Sequence, residues 1–143
     1  MDYCRLQKAT IKSNNVGFGP MPEPLEEVEQ RLTISRCGRV WFRAYSYGGT
    51  RLRKKQVWLG EERACHVLHL IGAYFNTCEE LTLATDIGMW EMSLQDMDGL
   101  TTKYVGSLCC AFQVDGRDLS TLIREELGMR DLFLYDGNPA LTD

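Results

Sequence analysis

The chain has little histidine, no paired-cysteine motif and no long apolar run, and each absence removes a class of function. His66 and His69 are the only histidines among 143 residues. No stretch approaches the ~20 consecutive apolar residues that a membrane-crossing helix needs. The opening "MDYCRLQKATIKSNN" has no apolar core of the kind that a secretory signal carries. These two absences give the expectation of a cytoplasmic protein with no membrane partner. Six cysteines are present, at 4, 37, 65, 78, 109 and 110, and none forms a C-x-x-C. In a reducing compartment thiols stay free, so all six are expected as free thiols, mostly buried as small hydrophobes.

Catalytic signatures are also missing. There is no G-x-x-x-x-G-K, no G-x-G-x-x-G behind a strand and no G-x-S-x-G. "GFG" at 17–19 lies in a Pro-rich loop and reads as a turn. "QDMDGL" places Asp96 and Asp98 before a glycine, but without the downstream bidentate Glu of a calcium loop it reads as a hairpin turn. Asp86 and Glu91 could do acid–base work as a carboxylate pair, but a turn aspartate before a strand is the simpler reading. No catalytic residue is assigned and no cofactor is expected.

What is present is ordinary globular material. The apolar share is 44% and the charged share 25%, the composition of a soluble domain. At this length one domain spanning 1–143 can bury a core without metal or disulfide support. Residues 4–12 read as a short strand, and "NNVGFGPMPEP" (14–24) as a loop. "EEVEQRLTIS" alternates strictly, with Val28, Gln30, Leu32 and Ile34 on one face, the period of a half-buried strand. A turn at Gly38 leads to a second strand over 39–47, and "GGT" turns the chain into a third over 52–59.

A helix then starts at Glu61. Ala64, Val67, Leu68, Ile71, Tyr74 and Phe75 form its apolar stripe, and Glu61 and Glu62 suit the positive end of the helix dipole. A short strand over 81–84, strands at 89–95 and 101–108 around the Asp98-Gly99 turn, and a further strand or extension in "CCAFQV" follow. "DGRDLSTLIREELGM" reads as a second helix capped near Asp118, with Leu119, Leu122, Ile123 and Leu127 inward and Gly128 at its end. "DLFLY" (131–135) reads as a last strand and 137–143 as a frayed tail. Strands in consecutive hairpins, with only two helices, predict an α+β fold: a mostly antiparallel sheet of about 5–7 strands with both helices on one face.

The two histidines sit in "ACHVLHL". At 100° per residue Glu62, His66, His69 and Ala73 fall opposite the apolar stripe, with Cys65 at the boundary. Glu62, His66 and His69 could therefore approach one metal from a single face. H-x-x-H lacks the intervening Glu of zinc proteases, and a structural zinc site needs four ligands. A solvated helix face is the favoured reading, and no metal is assigned.

Charge is distributed unevenly. Between Arg31 and Lys55 there are eight basic residues and no Asp or Glu. That segment carries +8, and the remainder carries −12 within a net charge of −4. On the second strand Arg39, Trp41, Arg43, Tyr45 and Tyr47 share a face, opposite the apolar Val40, Phe42 and Ala44. Lys54, Gln56 and Trp58 extend that face onto the third strand. Guanidinium groups attract phosphate and aromatic faces stack on bases. Trp, Tyr and Arg also anchor protein interfaces. Neutralisation of this ribbon by the acidic remainder within the monomer is the competing reading.

The segments "RLTISRCGRVWFRAYSYG", "LATDIGMWEMSL", "GSLCCAF", "DLSTLIREELGM" and "LFLYDGN" together resemble a family of small uncharacterised bacterial cytosolic proteins, over residues ~26–138. The resemblance implies a compact single domain from a bacterium or one of its mobile elements, and carries over no activity or site.

Three functions are thus weighed. The leading expectation is non-catalytic binding, as a monomer or small homo-oligomer. In it, Arg39, Trp41, Arg43, Tyr45, Tyr47, Lys54 and Trp58 contact a nucleic acid or a nucleic-acid-handling protein. The alternative is a phage or mobile-element inhibitor of a nuclease or CRISPR effector, acting through Glu23, Glu26, Glu27 and Glu29, or through Asp115, Asp118, Glu125 and Glu126, as phosphate mimics. The third and weakest is a metal-dependent enzyme using Glu62, His66 and His69.

Overall fold

The computed structural model describes residues 1–16, 21–78, 87–108 and 111–138. Period-two alternation builds six long strands: β1 (Leu6–Asn14), β2 (Glu29–Ser35), β3 (Arg39–Tyr45), β4 (Arg51–Trp58), β5 (Met89–Asp96) and β6 (Thr101–Ser107). They form one sheet in the order β4-β3-β2-β1-β5-β6, antiparallel at every junction. A two-residue hairpin, β7 (Gln113–Val114) and β8 (Arg117–Asp118), stands apart. With the helices α1 (Glu61–Thr77) and α2 (Leu119–Leu127) packed against the sheet, the fold is α+β.

The alternation puts one set of side chains under the helices. Ala9, Ile11, Leu32, Ile34, Val40, Phe42, Trp90, Met92 and Leu94 are buried from the sheet, and Ala64, Val67, Leu68, Ile71 and Phe75 from α1. α1 carries the chain from the β4 edge across the sheet to β5. Its 17 residues span about 25 Å at 1.5 Å per residue, enough to cross the four strand spacings, about 19 Å, that separate β4 from β5. Gly38 allows the entry: it has φ +108°, and a Cβ there would stand 2.7 Å from the Gly60 carbonyl carbon. Gly106, opposite Trp90 in the β5–β6 pairing, leaves room for the indole, which an added Cβ would meet at 2.5 Å.

The second helix starts and stops as its sequence dictates. Asp118 accepts from Thr121 N at 3.0 Å, and Gly128 closes the helix in the left-handed conformation with φ 65°. The Asp98-Gly99 turn joins β5 to β6. There the Asp96 carboxylate accepts the backbone N–H groups of Asp2, Asp98 and Leu100, each at 3.0 Å. The N–H of Asp2, with those of Leu100 and Asp98, holds this carboxyl below the ordinary aspartate range.

Four expectations need correction. Residues 131–135 are not a strand. Leu132, Phe133, Leu134 and Tyr135 are all buried in succession, Leu134 has φ 45°, and side chains take up their backbone. Gln30 accepts from Phe133 N at 2.7 Å and donates to Asp131 O at 2.9 Å, and Ser13 donates to Leu134 O at 2.8 Å. Residues 137 and 138 are not frayed, since Asn138 is buried and donates to Arg130 O at 2.6 Å. Asn14 belongs to β1, paired with both Glu29 and Met89, so the loop begins after it. The cysteines are less buried than expected: Cys4 and Cys37 are exposed, and Cys65 and Cys78 are half-buried. "GFG" at 17–19, the strand expected at 81–84, Asp86, Cys109, Cys110 and the tail from 139 lie outside the described residues.

Candidate functional site

With both helices on one side of the sheet, the outward-pointing side chains of all six strands make a second, uncovered face. Strand register sets which of them meet. Arg39 stands opposite Trp58, Trp41 opposite Gln56, and Arg43 opposite Lys54. Directly opposed residues share a face, so Arg39, Trp41, Arg43, Tyr45, Lys54 and Trp58 come together as expected. Trp58 is 68% exposed. Tyr47 does not join them, because β3 ends at Tyr45 and Tyr47 is exposed in the following turn.

The register also recruits residues that the local sequence did not point to. Lys12 opposes Arg31, Arg31 opposes Arg43, and Arg43 opposes Lys54. Four adjacent strands thus present a single transverse row of cations, Lys12–Arg31–Arg43–Lys54, at steps of about 4.8 Å. Parallel to it runs a row of smaller groups around one indole: Ser93, Thr10, Thr33, Trp41 and Gln56. Lys8, opposite Ser35 and Gln95, and Lys103, opposite Ser93, add further charge. The matching signal in the sequence was the alternation of Lys8, Thr10 and Lys12 with Ala9 and Ile11. The pairing of β1 with β2 that places these side chains beside Arg31 was not legible there.

The acidic remainder neutralises only part of the basic segment. Arg31 Nε lies 2.9 Å from Glu29 Oε2, Lys12 Nζ lies 3.6 Å from Glu29 Oε1, and the Arg31 guanidinium rests 4.7 Å from the Tyr45 ring centroid. Arg53 points to the helix side of the sheet, where Glu27 at 2.8 Å and Asp131 at 2.7 Å hold it. Arg36 donates to Leu6 O at 3.3 Å. Arg39, Arg43, Arg51, Lys54 and Lys55 have no ion pair among the described residues.

The open face is shaped as well as charged. A depression of about 430 Å³ is lined by Thr10, Thr33, Ser35 and Trp41, with Lys8, Arg31 and Arg43 around it. A second, of about 390 Å³, lies against Arg39, Gln56 and Trp58 at the sheet edge.

Glu62, His66 and His69 lie on the exposed side of α1, as the helical period required. They line a cavity of about 530 Å³ with Cys4, Cys65 and Glu126. His66 Nε2 lies 3.9 Å from Glu126 Oε1. Among the described residues no three His, Cys, Asp or Glu side chains converge as a metal site. No described helix is long and apolar enough to cross a membrane. The candidate acidic groups are largely engaged: Glu125 with Arg117 at 2.8 Å, Glu126 with Arg63 at 3.7 Å, and Asp118 as the α2 cap.

No protein-family model matches the chain, and no curated protein matches it significantly.

Proposed function

We propose that this protein is a non-catalytic binding module whose open sheet face takes a nucleic acid. The observation that carries the reading is the Lys12–Arg31–Arg43–Lys54 row. Like charges directly opposite each other across strands are unfavourable, and Glu29 is the one carboxylate ion-paired to this row among the described residues. A polyanion laid across the strands would relieve that repulsion, releasing its own counterions as it binds. Trp41 and Trp58 add ring faces, which a simple anion-binding surface does not need.

An acidic protein surface is the competing occupant of the same face. The reading in which the acidic residues themselves mimic phosphate has less support, because Glu27, Glu29, Glu125 and Glu126 are tied to cations of the same chain.

Anisotropy with a labelled oligonucleotide, titrated between 50 and 200 mM salt, tests the proposal. Four phosphate contacts to a single strand predict a slope of log K against log salt of about −2.8. Arg39→Ala with Arg43→Ala should weaken capture without lowering the melting temperature. Unchanged capture by the double variant would show that the basic face is not the site.

A further inference from the structure

Resting on that reading, we infer that the depression around Trp41 is a subsite for one unpaired nucleotide, so that the face selects single strands over duplexes. The depression has the layout such a unit requires. Its base is made of small hydroxyl side chains, Thr10, Thr33 and Ser35, all half-buried. Its rim is cationic, with Lys8, Arg31 and Arg43 exposed around it.

Trp41 forms the aromatic wall. Its cross-strand neighbours are Thr33 and Gln56, neither of them aromatic. Among the described residues no ring or cation stacks on this half-buried indole, whereas Tyr45 is covered by Arg31. An indole that carries neither a ring nor a cation, beside a cationic rim, suits a base whose phosphate lies on the rim.

Spacing supports one nucleotide rather than a whole strand in the depression. Arg43 and Trp41 are two residues apart on β3, about 7 Å along the strand, a separation that a phosphate and its own base span. A volume of about 430 Å³ falls at the low end of small-ligand sites. The hydroxyls of Thr10, Thr33 and Ser35 can donate to or accept from a base edge or a sugar. A paired base offers no free face to Trp41, because both of its faces are already stacked in the duplex.

The test compares polyanions that differ only in their bases. A Trp58→Phe background removes the exposed edge indole, so emission changes report Trp41 against the buried Trp90. The ligands are a short oligothymidylate, an abasic oligonucleotide of equal length, the corresponding duplex, and polyglutamate. The expected result is quenching and binding by oligothymidylate about tenfold or more tighter than by the abasic chain or the duplex. Trp41→Ala should remove most of the preference for oligothymidylate over the abasic chain, while Trp41→Phe should keep most of it.

Equal affinity for oligothymidylate and the abasic chain would overturn the subsite and leave the polyanion reading standing. Polyglutamate binding as tightly as oligothymidylate would also overturn it, in favour of an acidic protein partner. Failure of all four ligands to bind would remove both readings. The ligand comparison on the unsubstituted indole decides the matter even if Trp41→Ala does not fold.

Discussion

Replacing one cation in the transverse row should stabilise the fold while weakening binding. Arg43 is the informative position, since it stands between Arg31 on one strand and Lys54 on the other and has no ion pair among the described residues. Arg43→Gln keeps much of the aliphatic stem and removes the charge. Two exposed like charges about 6 Å apart in a water-like dielectric repel by about 0.7 kcal/mol. Like-charge cross-strand pairs cost on the order of 0.2–1 kcal/mol. Two such pairs relieved, less the part that flexible side chains already avoid, give a gain of about 1 kcal/mol at low salt. For a chain of this size that is about 3 °C in melting temperature. The gain should shrink as salt rises, because the screening length falls from about 30 Å at 0.01 M to about 3 Å at 1 M. Calorimetry at 10 mM and 1 M salt reads the stability, and oligonucleotide anisotropy reads the binding. Loss of one phosphate contact should lower the salt slope by about 0.7. A melting temperature that falls equally at both salt concentrations would show that the Arg43 guanidinium is structural, and the argument from repulsion would collapse.

Further outcomes follow from the same geometry. Glu29→Gln frees Lys12 and Arg31 from their shared carboxylate, so oligonucleotide affinity at low salt should rise by about twofold to fivefold; a fall would show that Glu29 orients the row instead. Gln30→Leu leaves Phe133 N and Asp131 O without their side-chain partner, and at about 1–3 kcal/mol per orphaned group urea unfolding should show a loss of about 2–5 kcal/mol. Asp96 has its pKa lowered on folding, chiefly by the Asp2 N–H, so its contribution is present above the unfolded value and is lost as pH falls through the folded one. The urea midpoint of Asp96→Asn should therefore be lower at neutral pH and flatter through the acid range than that of the parent. Cys37 is exposed, and its thiol is shifted down by the Ser35 hydroxyl and the Arg39 N–H, so iodoacetamide near neutral pH should label Cys37 before the exposed Cys4, as peptide mapping would show.

Alternation was the part of the fold most legible in the sequence. Val40, Phe42 and Ala44 against Trp41, Arg43 and Tyr45 needed only a period of two to be assigned to opposite faces, and the burial follows it without exception. The same held for α1, where a period of 3.6 placed Ala64, Val67, Leu68, Ile71, Tyr74 and Phe75 inward, and all are buried but Tyr74, which is half-buried. Leu70 and Gly72 are buried as well. No local pattern marks Gly72, because its reason is a close approach to the Tyr3 carbonyl, a long-range fact. The segment 131–135 reads as a strand because a short apolar run looks the same whether its backbone bonds to a neighbouring strand or to side chains such as Gln30 and Ser13. The candidate site was legible one strand at a time, through Arg39, Trp41 and Arg43. Its full width was hidden because β1, separated from β2 by the loop after Asn14, joins the ribbon only through non-local pairing.

That non-local pairing ties the site to the core. Every hydrogen bond that sets Ile11 beside Leu32 and Leu32 beside Phe42 also sets Lys12 beside Arg31 and Arg31 beside Arg43. A slip of one residue in any of these ladders would send the cations inward and the apolar set into water. The large cost of burying those charges therefore pins the outer row in place. A surface registered in this way has its backbone placed before any ligand arrives, so the ordering cost left to binding is that of its long side chains. The transverse spacing of the cations is a property of the sheet itself. Under the proposed function, a ligand whose charges repeat along a chain would meet this row through rotamer changes in side chains such as Lys12, Arg43 and Lys54.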